Sequence, residues 1–331
     1  MAIGMTKVAI IGCGTVGSTL GYYLASNLVC NELVMINRNE RKAWAEAKDL
    51  QHSMGYANGK IRISNGTYSD CGDADIVVLS IGAPYREGMT RLDMFAGAAR
   101  ITEQIIPQVI ESGFDGIFII VTNPVDLITK LVWKLSGFPS SRVIGTGTAL
   151  DSSRLRIFLA DLMGVDYRNV SAFCMGEHGD SQFIPWSQIL VGGKPLEFIL
   201  NDNPWVAAKV NLSDVGKRIA NVAYDIVRCK GATYYGIATT TGEIIHSILY
   251  DDNRVMPVSC MLEPPYGTDE VFIGIPAVIC RKGVRETISY HLTEEEQALM
   301  ARSIETLERN WESLYPQKDV VDAAMYVRKC V

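Results

Sequence analysis

The sequence predicts an α/β fold: a doubly wound parallel sheet followed by an α+β second lobe. Through the first half of the chain, short apolar runs rich in β-branched residues alternate with helix-length amphipathic segments. After about Asn169 that alternation gives way to shorter strands mixed with long helices. The runs are Val8-Ala9-Ile10-Ile11, Leu33-Val34-Met35-Ile36, Ile76-Val77-Val78-Leu79 and Ile117-Phe118-Ile119-Ile120-Val121. Runs that are apolar throughout suit strands buried on both faces, the condition of a parallel sheet covered by helices. In the second half, strands are expected around 171–175, 255–262, 271–280 and 284–290, with helices near 205–229 and 235–250. A last helix is expected to start at Thr293, which has capping-box spacing from Glu296, and to run to about Leu314.

Length and charge narrow the functional classes. A chain of 331 residues exceeds what one small core organises and suits two lobes. Its 31 Lys and Arg against 37 Asp and Glu give a formal charge of −6, with the acidic residues scattered. Neither nucleic acid nor an anionic membrane surface is an expected partner. No apolar stretch approaches a membrane span and Met1–Thr6 carries no signal-type apolar segment, so a cytoplasmic location is expected. Eight cysteines are dispersed without a CxxC pair or a nearby histidine. They read as reduced, mostly buried thiols rather than metal ligands or a disulfide framework.

The first motif that carries chemistry is Gly12-Cys13-Gly14-Thr15-Val16-Gly17, which follows the first strand at once and opens a helix. In that strand–turn–helix context it is the fingerprint of a dinucleotide-binding Rossmann turn; a glycine turn without a ligand is the alternative. Glycines are required because the turn is tight, a pyrophosphate approaches the backbone closely and the helix packs near the strand. The phosphates then meet the unpaired amides at the helix N-terminus. Twenty residues beyond Gly17, where an acid usually binds the adenosine ribose hydroxyls, the chain has Asn37 followed by Arg38. Losing the carboxylate removes its repulsion of a 2′-phosphate, and a guanidinium can pair with one, so NADP is one reading. In the other, Asn37 still hydrogen-bonds the hydroxyl and Arg38 is a solvated charge, leaving NAD as the expected cofactor.

His178 lies in Gly176-Glu177-His178-Gly179-Asp180-Ser181, too polar and flexible a setting for core filling. An imidazole exchanges a proton near neutrality, as interconversion of a carbonyl and an alcohol requires. Downstream of a dinucleotide turn it reads as an acid/base, with a satisfied loop histidine as the alternative.

Four blocks in order carry a family resemblance: Thr122-Asn123-Pro124-Val125-Asp126, Gly145-Thr146-Gly147-Thr148-Ala149-Leu150-Asp151-Ser152-Ser153-Arg154, Gly176 to Ser181, and Lys230-Gly231-Ala232-Thr233-Tyr234-Tyr235-Gly236-Ile237. Over roughly residues 6–314 the chain resembles the NAD-dependent L-lactate/L-malate dehydrogenase superfamily, nearest to its L-lactate and L-2-hydroxyisocaproate dehydrogenase branches. The resemblance implies a dinucleotide-binding Rossmann domain over residues 1–146 and a substrate-binding catalytic domain over 147–331. It makes His178 the acid/base and Asp151 the group that orients its imidazole and favours the imidazolium. Arg154, three residues on along the same helix, is the anchor for the substrate carboxylate. Arg91 matches the arginine of a mobile substrate lid that polarises the carbonyl. Asn123 matches the residue that orients substrate and nicotinamide, unless it only starts an Asn-Pro turn. Gly12, Gly14, Val16, Gly17, Asn37, Tyr68, Gly82, Ala83, Asn123 and Ile237 are the expected cofactor-binding positions.

Substrate choice in this superfamily turns on the lid residue six before the catalytic arginine, here Tyr85. An arginine there would pair with a second carboxylate, so its absence argues against oxaloacetate, although neighbouring Arg86 could swing in. Thr233 matches the small residue that leaves room for the side chain of a monocarboxylic 2-oxo acid. The expected enzyme is an L-lactate dehydrogenase-like oxidoreductase that moves a hydride between NADH and pyruvate or a related 2-oxo monocarboxylic acid. An L-2-hydroxyisocaproate dehydrogenase acting on larger aliphatic 2-oxo acids is the alternative, and a malate dehydrogenase is less favoured. The resemblance also implies a homotetramer. No serine sits in GxSxG, so a nucleophile elbow is absent. A non-catalytic NAD-binding module would need none of Arg91, Asp151, Arg154 and His178.

Overall fold

The apolar runs of the first half lie side by side in one sheet. The computed structural model describes residues 5–82, 91–209, 211–264, 266 and 270–316, the side chains of residues 91, 92, 213, 217, 220 and 221 excepted. The first half comprises β1 (Lys7–Ile11), α1 (Thr15–Ser26), β2 (Glu32–Ile36), α2 (Glu40–Ser53), β3 (Arg62–Gly66), β4 (Ile76–Leu79), α3 (Arg91–Glu111), β5 (Ile117–Ile120), α4 (Val125–Ser136), β6 (Val143–Gly145) and α5 (Ala149–Met163). These six strands are parallel, in the spatial order β3-β2-β1-β4-β5-β6. Every residue of β1, β4 and β5 is buried, because helices cover both faces. The strand order reverses between β1 and β4, and the crevice at the carboxyl ends there is where doubly wound sheets bind ligands. The strand β3 was not among the apolar runs. It pairs only with β2, at the sheet edge, and Ile63 is its one buried residue, so it carries no apolar signature.

The second half comprises β7 (Val170–Ser171), β8 (Leu190–Val191), β9 (Lys194–Pro195), α6 (Leu196–Asp202), α7 (Pro204–Ala207), α8 (Leu212–Lys230), α9 (Tyr235–Tyr250), β10 (Arg254–Met261), β11 (Phe272–Cys280), β12 (Gly283–Thr287) and α10 (Glu294–Leu314). Its longest strands do not form a sheet of their own. The strand β10 pairs antiparallel with β6 at Ser259–Gly145, and β11 and β12 follow, giving one nine-stranded sheet. Only β7, β8 and β9 make a separate small sheet.

Three expected elements differ from those observed. The strand expected over 171–175 is confined to β7. Beyond it, Met175 and Gly176 make isolated bridges to Phe183 and Gly274. The helix expected over 205–229 is divided into α7, which has Pro204 in its first turn, and α8. The strand expected to reach residue 290 stops at Thr287. The helix α10 begins as expected: Thr293 and Glu296 form the reciprocal capping box. Its Met300, Leu307 and Trp311 return to the main core against the first half, where Trp311 meets Phe95 at 6.2 Å. A second core, with Leu155, Leu159, Ile184, Val215 and Ile219, lies under the smaller sheet. Each such side chain contributes about 1.5–3 kcal/mol by leaving water. Six of the seven cysteines among the described residues are buried free thiols, and Cys229 is exposed. No helix among the described residues is long and apolar enough to cross a membrane.

Candidate active site

The glycine turn is built as its spacing requires. Gly12 has φ of 109°, donates its N–H to Ile36 O at 2.8 Å, and lies so close to β4 that an added Cβ would sit 2.1 Å from Ser80 O. An added Cβ at Gly17 would fall 1.9 Å from Gly12 O, so that glycine lets α1 close against the turn. Gly14 differs, because a Cβ there would meet nothing within 4 Å. It caps α1 without a side-chain hydrogen bond, leaving helix N-terminal amides facing an open cradle. The cradle, its unpaired amides and its place at the switch point fit the pyrophosphate of a dinucleotide.

Of the other expected cofactor positions, those described lie at the carboxyl ends of strands or in the first turns of α1 and α9. Asn37, just beyond β2, accepts from Cys13 N at 3.3 Å and donates to Asn39 O at 3.2 Å, tying its amide to the glycine turn. Arg38 beside it is exposed and Tyr68 is half-buried. Gly82 lies just past β4, whose end is braced by Thr122: its Oγ1 accepts from Ile81 N at 2.9 Å and donates to Leu79 O at 3.1 Å. Asn123 follows β5 and is exposed, joined to Pro124 by a cis peptide bond. Val16 lies in the first turn of α1 and Ile237 in the first turn of α9. Helix α9 packs on α1, with Gly242 against the Tyr23 ring and Tyr23 Oη donating to Glu243 at 2.5 Å. Thr233 is half-buried in the loop before α9, beside Lys230, whose ammonium lies 3.5 Å and 4.0 Å from the ring centroids of Tyr234 and Tyr235.

Asp151, Arg154 and His178 come together in one cluster. Asp151 occupies the first turn of α5, and its side chain is only 3% exposed. Its Oδ1 accepts from Arg154 Nη1 at 2.9 Å and its Oδ2 meets His178 Nδ1 at 2.9 Å. One carboxylate thus binds both side chains, while the His178 side chain remains 29% exposed. Burial alone would lower the imidazole pKa. The hydrogen bond and charge of Asp151, with the charge of Asp126, overcome burial and the opposing Arg154, so the net shift is upward. Burial likewise opposes ionisation of Asp151, but His178 and Arg154 outweigh it and hold its carboxyl below the usual carboxylate range.

The loop that presents His178 is fastened from three directions. Gly176 exchanges backbone hydrogen bonds with Gly274 of β11 at 2.9 and 3.0 Å. Glu177 N donates to Ser303 Oγ of α10 at 2.6 Å. His178 N donates to Oδ2 of Asp126, a buried carboxylate in the first turn of α4, at 2.7 Å. Two residues before Gly176, Cys174 O accepts from Thr148 Oγ1 at 2.6 Å and Cys174 N donates to Ser152 Oγ at 2.8 Å. Asp126, Ser303, Thr148 and Ser152 were given no role from the sequence. Asp126 carried a signal, standing as an acid at the start of an apolar helix, whereas Ser303 lies within an ordinary amphipathic pattern. Tyr85, Ala83 and Arg86 lie outside the described residues, as does the side chain of Arg91, whose backbone opens α3.

The sequence and the fold have counterparts among known proteins. The lactate/malate dehydrogenase NAD-binding domain model matches residues 6–145, and the lactate/malate dehydrogenase α/β C-terminal domain model matches residues 148–316. The chain belongs to the lactate/malate dehydrogenase family. It is an NAD-dependent oxidoreductase of the L-lactate dehydrogenase type. L-lactate dehydrogenase 3 of Bacillus thuringiensis subsp. konkukian is 44% identical over 301 residues, 91% of this chain and 95% of that protein. L-lactate dehydrogenase 2 of Bacillus cereus is 42% identical over 307 residues, 93% of this chain and 98% of that protein. Among solved structures, the ligands-bound minor L-lactate dehydrogenase of Enterococcus mundtii superposes with a TM-score of 0.89 at 40% identity, covering 93% of this chain and 98% of its own. These relatives favour the lactate reading of this dehydrogenase over the L-2-hydroxyisocaproate alternative.

Proposed function

We propose that this dehydrogenase reduces pyruvate, or a closely related 2-oxo monocarboxylic acid, to the L-2-hydroxy acid and catalyses the reverse oxidation. The observation that carries the reading is the His178–Asp151–Arg154 cluster, which lies past the carboxyl end of β6, the same end of the parallel sheet as the dinucleotide cradle past β1. The Gly12–Gly17 turn would hold NAD, whose nicotinamide would supply or accept the hydride.

His178 does the proton work. With Nδ1 held by Asp151, its Nε2 is the nitrogen left to give a proton to the carbonyl oxygen during reduction and to remove one from the hydroxyl during oxidation. Arg154 spends one N–H on Asp151 and offers its remaining donors to the substrate carboxylate, a planar bidentate pairing that fixes C2 before His178. Arg91 is assigned the carbonyl oxygen, Asn123 the alignment of substrate with nicotinamide, and Tyr85 and Thr233 the substrate side chain, on their family positions.

NAD rather than NADP is the proposed cofactor. Asn37 holds the glycine turn through Cys13 N and takes the position after β2 assigned to the ribose hydroxyls, while exposed Arg38 is free to remain in water. We also infer a cytoplasmic homotetramer, with residues 1–146 as the dinucleotide-binding domain and 147–331 as the substrate-binding catalytic domain. A panel of 2-oxo acids assayed with NADH and NADPH tests the reading. Pyruvate should exceed oxaloacetate, and NADH should exceed NADPH, in kcat/KM. Oxaloacetate as best substrate would overturn the assignment of Tyr85, and a preference for NADPH would overturn that of Asn37. Light scattering tests the tetramer.

A further inference from the structure

The residues on either side of His178 belong to a polar network that the reaction as derived does not use. Glu177, directly before the histidine, is buried, and its Oε2 accepts from Ser181 Oγ at 2.5 Å and from Ser181 N at 3.3 Å. The two close a turn whose first enclosed residue is His178. The third partner is 126 residues away in sequence: Ser303 of α10, fully buried in the row Met300, Ser303, Leu307, accepts the Glu177 N–H at 2.6 Å. Its Oγ also lies 3.1 Å from Ser181 Oγ.

Elimination places the hydrogens. The one O–H of Ser181 is given to a carboxylate oxygen, so Ser181 Oγ is the acceptor in its contact with Ser303. Ser303 thus accepts from Glu177 N and donates to Ser181 Oγ, and the three residues form a closed ring in which each hydroxyl gives one hydrogen bond and takes one. Hydrogen bonds chained in this way polarise and strengthen one another. Room for the ring depends on Gly176, whose φ is 95° and where an added Cβ would fall 2.7 Å from Ser303 Oγ. A hydroxyl in the buried row of an amphipathic helix costs stability unless it is bonded, and an alanine would fill that row without the cost. What the serine alone adds is a directional tie between α10 and the histidine loop.

We propose that Ser303 and Ser181 are positioning residues for the reaction: their ring with Glu177 holds the histidine loop against α10, so that the imidazole stands in line for proton transfer. The proposal rests on the reading of His178 as the proton donor. None of the ring's three hydrogen bonds ends on the dinucleotide cradle or on Arg154, so its loss acts on turnover and leaves the binding of cofactor and substrate carboxylate.

The variants S303A, S181A and S303A/S181A test it by steady-state pyruvate reduction, with the NADH Kd measured alongside. In S303A, kcat is expected to fall about tenfold, with KM for pyruvate and the NADH Kd within about twofold of wild type. S181A should match it. The double variant should lose no more than either single one, because a ring opened at one point or at two leaves the loop equally unheld; independent contacts would multiply to about a hundredfold. Wild-type kcat in S303A or in S181A overturns the proposal, as do multiplied losses in the double variant. A rise in NADH Kd as large as the loss in kcat would mark a general loss of structure and overturns it as well. Should S303A not fold, S181A, which leaves α10 untouched, carries the same kcat and Kd test alone. Activity retained by H178Q would instead sink the underlying reading, whereas an inactive H178Q beside wild-type kcat in the serine variants sinks this inference alone.

Discussion

At the scale of single residues, the site is a balance of charges around one imidazole. The pKa of Asp151 is lowered, so its contribution to stability is present above the unfolded carboxyl pKa of about 3.9 and is lost as pH falls through the folded value. That of His178 is raised, so its contribution is full below about pH 6.5 and is lost as pH rises through the folded value. The pair therefore supports the fold most strongly between roughly pH 4 and 6.5. Replacing Asp151 by Asn removes the charge and disfavours the imidazolium; kcat for pyruvate reduction should fall by about 10²-fold and its alkaline limb should shift to lower pH. A pH–rate profile checks both effects. Asp126 has the opposite sign: its carboxyl is raised to about 6, so its stabilising contribution declines as pH rises through that value. D126N, which cannot ionise, should therefore lose less stability than wild type between about pH 5 and pH 8, a difference that urea unfolding at the two pH values measures; equal losses would show that the buried charge costs the fold nothing.

At the scale of elements, legibility followed burial and spacing. Strands β1, β2, β4 and β5 were readable because both faces are covered and every position or nearly every position is apolar. Edge strand β3 buries only Ile63, and two-residue β7 is too short to show a period. The start of α10 was readable because a capping box is a local pattern, fixed by residues three apart. That box also reaches outward, since Glu296 accepts from Ser187 N at 3.0 Å and from Ser187 Oγ at 2.6 Å. Thr293→Ala should cost about 1 kcal/mol in thermal or urea unfolding, with little effect on kcat. Gly12→Ala is a harsher change, because a Cβ would overlap Ser80 O at a φ of 109°. It should cost several kcal/mol or prevent folding, and any folded protein should bind NADH weakly in a fluorescence titration.

At the scale of the whole molecule, catalysis depends on contacts that no local pattern announces. The candidate site residues could be named from the sequence, because the motifs that hold Asn123, Asp151, Arg154 and His178 stand in order along the chain. Their assembly was not. Strand β10 joins β6, β11 receives Gly176, α4 places Asp126 under His178, and α10 places Ser303 under Glu177. The last two partners are separated by 52 and 126 residues, so only the folded sheet reveals them. The continuous nine-stranded sheet ties the histidine loop to the cofactor-binding half through the Gly176–Gly274 bridge to β11. The central claim is that His178, held by Asp151, supplies the proton for NADH-linked reduction of pyruvate. Its most direct test is steady-state NADH oxidation with pyruvate by wild-type and H178Q enzymes, with the NADH Kd measured alongside. A loss of about 10³-fold in kcat/KM with the Kd unchanged is expected; turnover by H178Q close to that of wild type would contradict the claim.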